Sequence, residues 1–273
     1  MRFILGIILV SISLSSFAQF DYPIIEIEAT ELIVTYSLKW QEDSLNSDFI
    51  RQENTLLFIG QNTSKFTSNN SYKFDTIMRK VSNWDEFDVL NSDRNNPLPM
   101  SAIFYSIFKT PSNGKLMCLE HTLDGMFRYE ESLDLFNWQL TSDTATIAGY
   151  KAQKAITNFG GRKWVAWFSP ELPINDGPYK FNGLPGLILK ISDTQNHYVF
   201  DFISIEKPTE KLMIDYIKKD FIKTTKQKFF RSKDYFREDI INRVQEKGAS
   251  SDAQQRAARN AKKRNNPLEL KRK

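Results

Sequence analysis

The fold of this chain depends on one stretch of its sequence, Gly183-Leu184-Pro185-Gly186-Leu187-Ile188. This hexapeptide ends a region rich in proline and glycine that begins at Phe168, and it leads directly into a run typical of a β-strand. Proline fixes the backbone angle φ, whereas glycine permits positive φ. We therefore predict that residues 168–186, called the Pro/Gly loop below, hold one fixed shape.

Two sets of residues in and around the Pro/Gly loop are candidates for a role. The residues predicted to set its shape are Gly177, Pro178, Gly183, Pro185 and Gly186. The residues predicted to contact a ligand are the aromatic side chains Trp164, Trp167, Tyr179 and Phe181. Long loops inside compact domains are usually functional. The alternative is a rigid crossover that covers an open end of a sheet, and the sequence leaves both interpretations open.

The sequence on both sides of the loop is typical of a mainly β protein. Short runs rich in β-branched and aromatic residues predict strands, among them residues 31–40, 53–60, 64–68, 163–169 and 187–192. The pair Asn113-Gly114 between two such runs predicts a hairpin turn. We predict an α+β fold in which a curved antiparallel β-sheet or half-barrel packs against a C-terminal amphipathic helix.

That helix is predicted at about residues 223–247, before Gly248. Its apolar stripe has helical spacing and consists of Phe229, Phe230, Tyr235, Phe236, Ile240, Ile241 and Val244. The rest of the chain, residues 249–273, has few large apolar residues and is predicted to be a basic flexible tail. It lacks aromatic residues that could stack on bases, so nucleic acid is not an expected partner. Weak contact with anionic lipid is the expected role of its charge.

The first 18 residues predict a secretory signal peptide. Arg2 precedes an apolar run from Phe3 to Leu14, and a small-x-small pattern ends at Ala18, where cleavage is expected. The run is shorter than the roughly 20 residues that span a bilayer, and we expect no transmembrane segment in the mature chain. We predict one domain over residues 19–248 and a periplasmic or secreted location.

Several chemistries are disfavoured by residues that the sequence lacks. It has one cysteine, Cys118, and two histidines, His121 and His197, so no disulfide and no common zinc site is expected. Cys118 and His121 are three residues apart in a predicted strand, which places their side chains on opposite faces. We therefore expect no metal, no cofactor and no nucleophilic Cys–His pair.

Several motifs in the chain resemble those of the GLPGLI family of exported proteins from Gram-negative bacteria. The matching motifs are residues 57–60, 64–66, 129–131, 137–138, 150–155, 159–162, 166–168, 173–188 and 266–270. One difference is Ala152, which stands where such sequences often have a cysteine. The resemblance implies export but no mechanism, because the family has no established activity and no catalytic residues to carry over.

Two functions from different classes are compatible with the sequence. The first is a non-catalytic binding or accessory module for an apolar ligand or for an envelope component, such as an outer-membrane protein. The second is an envelope-associated hydrolase whose catalytic carboxylates are Glu171 and Asp176 in the Pro/Gly loop, assisted by Arg162 or Lys180. The oligomeric state is left open by both.

Overall fold

The structure is a computed structural model that describes residues 23–122, 125–240, 242, 246, 248 and 250–271. The predicted signal peptide, residues 1–18, lies outside the described residues. In the described ranges the strands are β1 Ile24–Ala29, β2 Leu32–Gln41, β3 Ile50–Ile59, β4 Ser64–Ser68, β5 Tyr105–Thr110, β6 Lys115–Thr122, β7 Gly125–Ser132, β8 Gln139–Ile147, β9 Tyr150–Phe159, β10 Arg162–Ser169, β11 Leu187–Asp193, β12 Tyr198–Glu206, β13 Met213–Ile217 and β14 Ile222–Lys223. The α-helices are α1 Asn69–Met78, α2 Trp84–Ser92, α3 Lys226–Glu238 and α4 Ser251–Lys263.

The main sheet has twelve strands within the described residues, in the order β14-β7-β6-β5-β4-β3-β2-β12-β11-β10-β9-β8. All neighbouring strands in it run antiparallel except β14 and β7, which are parallel. Its end strands, β14 and β8, do not pair with each other in the described part of the chain, so the sheet stays open. The predicted mainly β fold with a helix on a curved sheet is confirmed.

The two faces of the sheet carry separate hydrophobic cores. Neighbours in a strand point to opposite faces, and in β3 Leu57 joins the larger core while Leu56 and Phe58 join the smaller one. Helix α3 packs on the larger core, where the Phe229 ring lies 5.2 Å from that of Tyr129. Of the predicted apolar stripe, Phe229, Phe230 and Ile240 are buried, whereas Tyr235 is 60% exposed. The side chains of the stripe's other members lie outside the described part of the chain.

The ends of the chain's last helices differ from the prediction. Helix α3 begins at Lys226, where the side chain of Thr225 accepts a hydrogen bond from the Lys228 amide. Its predicted end near residue 247 falls among residues that are partly outside the described ranges. The predicted flexible tail instead contains α4, which starts after Ser250. Alanine-rich sequence favours helix even without large apolar residues.

The segment after α4, residues 265–271, is called the C-terminal segment below. Asn266, Leu268 and Glu269 in it are buried. The backbone amides of Leu270 and Lys271 donate to the carbonyl of Gly160, at 2.6 and 2.9 Å. A flexible tail was the wrong expectation for these residues, because backbone hydrogen bonds, buried polar contacts and the burial of Leu268 in the larger core hold them on the sheet.

Arg162 at the start of β10 provides many of those contacts. Its guanidinium donates to the carbonyls of Leu268 and Pro267, at 3.0 and 2.7 Å, and to the side chain of Asn266 at 2.5 Å. It also pairs with Asp193 at 2.9 Å. A buried guanidinium is stable only when its charge and its N–H donors are matched. The C-terminal segment supplies most of the acceptors.

A second anchor is a set of four buried charged side chains, Glu131, Lys180, Lys226 and Glu269, called the charge ring below. Lys180 pairs with Glu131 and, at 2.7 Å, with Glu269. Lys226 lies 2.8 Å from both carboxylates. The ring therefore joins β7, the Pro/Gly loop, α3 and the C-terminal segment through charges that cancel.

The Pro/Gly loop is fixed by a separate ion pair and by close backbone packing. Asp176 pairs with Lys109 of β5 and accepts a hydrogen bond from Ser64 at 2.5 Å. Gly186 has φ +150°, and a Cβ added there would lie 2.1 Å from the carbonyl oxygen of Ser169. Glycine is required at this position by both conformation and space.

The first prediction concerns Gly186→Ala. We expect it to lower the free energy of unfolding by about 3 kcal/mol or more, because overpacking adds to backbone strain. The control is Gly114→Ala, since Gly114 also has positive φ, +64°, but has nothing within 4 Å of an added Cβ. It should cost only about 1 kcal/mol. Urea denaturation measures both, and equal losses would contradict the close approach at Gly186.

The second prediction concerns Glu269→Gln. We expect a loss of about 3 kcal/mol in the free energy of unfolding, because the change leaves Lys180 and Lys226 buried with one carboxylate. The matched control is Glu130→Gln, which removes an exposed carboxylate 2.8 Å from Arg128 and should cost about 0.5 kcal/mol. Chemical denaturation at neutral pH tests both variants.

The difference in the free energy of unfolding between wild type and Glu269→Gln should depend on pH. Burial raises the pKa of Glu269, but Lys180 and Lys226 outweigh burial and lower it from 4.5. A lowered pKa means that the carboxylate stabilises the fold above the unfolded pKa, and that this contribution is lost as pH falls through the folded pKa. The difference between wild type and Glu269→Gln should therefore shrink below pH 4.5. A difference that stays constant would show that the carboxylate charge is not involved.

Candidate ligand-binding cavity

A half-open cavity of about 640 Å³ lies on the face of the sheet that carries the larger core. Strands β2, β5, β6 and β7 form its base, and α3, α4 and the C-terminal segment cover it. Pockets that bind small molecules usually measure about 300–1,000 Å³. This space has the volume of a ligand site.

The walls of the cavity are largely apolar. Alternating strand positions aim side chains from the sheet into it, and α3 adds aromatic rings from above. The apolar and aromatic lining includes Leu38, Trp40, Ile103, Tyr105, Ile107, Phe127, Tyr129, Phe229, Phe230, Ile240 and Leu268. A lining of this kind favours the aliphatic or aromatic part of a ligand.

Polar groups are placed at the floor and at the rim. Lys180 and Glu269 of the charge ring reach the floor, where the Tyr179 hydroxyl donates to Glu269 at 2.6 Å. At the rim Lys233 pairs with Glu120 at 2.5 Å. Arg264 follows the last residue of α4 and also lines the space. The cavity is thus apolar along its walls and charged at two ends.

Three ionisable groups at the floor, Cys118, Lys180 and Glu269, have pKa values that lie away from neutral pH. Burial raises the pKa of the Cys118 thiol to about 12. Burial opposes the charge of Lys180, but Cys118, Glu269 and Glu131 together outweigh it and raise the pKa of the lysine. The pKa of Glu269 is lowered, as described above. General acid–base catalysis works best with a pKa near the operating pH, and these three groups lack that property.

The four aromatic residues predicted to bind a ligand do not meet in one cleft. Tyr179 lines the cavity. Trp164 and Phe181 lie fully buried in the core, with ring centroids 4.7 Å apart. Trp167 is half-buried elsewhere on β10, where Lys154 lies 6.0 Å from its ring centroid. The reason is strand alternation, which separates Trp167 from its neighbours in the core.

Residues that sequence reasoning did not single out supply most of the cavity. The rings of Phe229 and Phe230 were recognised only as a packing stripe of the C-terminal helix. Arg264 and Leu268 were assigned to the flexible tail. The available signal was the same stripe, because an aromatic helix face laid on a curved sheet can enclose space as well as fill it.

The four residues proposed for hydrolysis lie in separate contacts. Glu171 is exposed in the Pro/Gly loop, while Asp176 pairs with Lys109. Arg162 pairs with Asp193 and Lys180 belongs to the charge ring. Each of the last three therefore has a contact that stabilises the fold.

Among the described residues no helix has the length and apolarity needed to cross a membrane. In the same residues no three His, Cys, Asp or Glu side chains are grouped so that they could hold a metal ion.

Part of the chain is similar to a family of unknown function. The model of the family "Protein of unknown function (Porph_ging)" matches residues 159–190, which include the hexapeptide Gly183–Ile188. The match covers a minor part of the chain, and the resemblance to the GLPGLI family stays a prediction. No curated protein matches this sequence.

Among solved structures, the chain is similar to PNGF-II. The crystal structure of PNGF-II in space group P21 has a TM-score of 0.52 at 15% identity, over 75% of this chain and 33% of that chain. Its structure in space group C2 gives a TM-score of 0.46 at 15% identity, over 72% and 31% of the two chains. The chain thus spans about a third of the length of PNGF-II, and the first likeness shows a shared fold alone.

Proposed function

We propose that this protein is a non-catalytic binding module that takes an apolar or amphiphilic ligand into the cavity between the sheet and helices α3 and α4. The observation that carries the proposal is the cavity of about 640 Å³ with its aromatic and aliphatic walls. Each ligand methylene removed from water contributes about 0.8 kcal/mol. A walled cavity also needs little ordering when the ligand enters, which saves binding free energy.

The protonation states of Cys118 and Lys180 at the cavity floor favour binding over catalysis. Cys118 is held as a neutral thiol by burial, and the pKa of Lys180 is raised. Neither group is an activated nucleophile at neutral pH. Asp176 is the part-buried member of the two carboxylates proposed for the hydrolase, and it is paired with Lys109. The geometry therefore favours the binding module over the hydrolase.

The cellular setting of the module is also a proposal. The pattern from Arg2 to Ala18 supports export, so the ligand would be a component of the cell envelope or its surroundings. An accessory role beside an outer-membrane protein is compatible with the same location. Native mass spectrometry of protein purified from its own cells should show a bound apolar molecule.

The third prediction tests the cavity directly with the neutral fluorescent probe N-phenyl-1-naphthylamine. Wild type should bind the probe and raise its fluorescence. Ala257→Trp puts an indole into the cavity from α4, because Ala257 lines the space, and it should weaken probe binding about tenfold or more. An equilibrium change of that size corresponds to about 1.4 kcal/mol of lost binding free energy.

The control is Ala258→Trp on the same helix. Ala258 is half-buried like Ala257, but it does not line the cavity. Its probe affinity should stay within about twofold of wild type, which is well below 1 kcal/mol. Melting temperatures of both variants show whether they are folded. Equal weakening by both substitutions, or no probe binding by wild type, would contradict the proposed function.

A further inference from the structure

We propose that the cavity selects amphiphiles with an anionic head group, with the carboxylate or phosphate at Arg264 and the chain inside. This inference rests on the proposed function and adds the chemical class of the ligand. It follows from the side chains that α4 presents to the cavity and from the way the charge of Arg264 is balanced.

Helix α4 presents a polarity gradient to the cavity. Ala257 and Asn260 of α4 and the C-cap residue Arg264 line the space and are spaced three and four residues apart, so they form one stripe that ends at the C-terminus of the helix. The stripe runs from a methyl group through an amide to a guanidinium. A ligand lying along it would meet apolar surface with its chain and a cation with its head.

The charge of Arg264 is only loosely compensated. Its Nε lies 3.9 Å from Oε2 of Glu42, and its side chain is 57% exposed. The same carboxylate oxygen is 3.0 Å from Nε of Arg51. Two guanidiniums thus share one carboxylate. The neighbouring Asp43 accepts from the Asn265 side chain at 2.7 Å and from the Leu45 amide at 3.1 Å.

The surroundings of Arg264 add positive charge. Arg256, Arg259 and Lys263 are exposed on α4, whose sequence contains Asp252 as its acidic residue. The helix dipole places about half a negative charge at the C-terminal end of a helix. Lys263 and Arg264 together exceed that charge. An anion approaching this rim is therefore attracted, and a guanidinium can bind a carboxylate or phosphate through two N–H donors.

The same cavity is expected to bind a cationic head group less tightly than an anionic one. Glu120 lies 2.5 Å from Lys233, and Glu269 lies within 2.8 Å of both Lys180 and Lys226. At these two sites a cation would have to displace the lysines from their carboxylates. The other carboxylates that line the cavity are Glu42, which contacts Arg51 and Arg264, and Asp234. An anionic head at Arg264 displaces the 3.9 Å contact with Glu42, which is the ion pair that Arg264 makes within the described residues.

The fourth prediction uses ligands that share one chain and differ in the head. Dodecanoate, dodecyl phosphate, dodecanol and dodecyltrimethylammonium displace the probe in competition. Hydrogen bonds to charged groups contribute about 1.5–3 kcal/mol. The two anions should therefore bind about tenfold more tightly than dodecanol, and the ammonium compound more weakly than either anion. The preference should decline with salt, which screens an exposed charge.

Two variants locate the head group. Arg264→Gln should reduce the ratio of dodecanoate to dodecanol affinity to about twofold, because the amide keeps donors but loses the charge. Arg259→Gln is the matched control, since Arg259 is exposed on the same helix without lining the cavity. It should keep the wild-type ratio. An equal fall in both variants would overturn the assignment to Arg264.

Other outcomes separate this inference from the proposed function. Equal affinity for all four dodecyl compounds would overturn the head-group selection and leave the apolar site in place. Inorganic phosphate alone should displace the probe far more weakly than dodecyl phosphate does. If it competes equally well, the ligand is a free anion and the inference fails. Failure of every compound, dodecanol included, would contradict the proposed function itself.

Discussion

The charge ring of Glu131, Lys180, Lys226 and Glu269 is the interaction on which the rest of the structure depends. Its members come from four separate parts of the chain, and each lysine contacts both carboxylates. Buried charges are tolerated only when they are matched in this way. Because α3 and the C-terminal segment are both tied to the ring, it determines where the cover of the cavity sits.

The hexapeptide Gly183–Ile188 acts on the cavity through this ring. It carries no reactive side chain, but its turn requires glycine at position 186, where the backbone passes Ser169 too closely for a Cβ. The Asp176–Lys109 pair fixes the earlier part of the loop. Between these two points the loop delivers Lys180 to the ring and Tyr179 to Glu269. The loop is thus a support for the cavity floor.

Local sequence patterns predicted the features of the fold that depend on interactions between residues close together in the chain. Alternation and the Asn113-Gly114 turn indicated the β fold, and the stripe around Phe229 indicated the packed helix, because both signals lie within a few residues. The order of the C-terminal segment was missed because Arg162 and Lys180 contact it across about a hundred residues. Likewise Trp164 and Phe181 are residue types that often line binding sites. Whether an aromatic ring fills a core or lines a cavity depends on its neighbours in space.

The cavity persists because α4, one part of its cover, presents residues that do not fill it. On α4 the positions that face the space are Ala257 and Asn260, whose side chains are small. The C-cap residue Arg264 also faces it, and its charge must stay near water. A large apolar residue at any of these positions would have completed the core and gained about 1.5–3 kcal/mol on burial. The sequence forgoes that stabilisation while the charge ring and Arg162 hold the cover in place by polar contacts. The cavity therefore has apolar walls beneath a cover that ion pairs hold in place. An apolar ligand in it would supply the contacts that these walls lack.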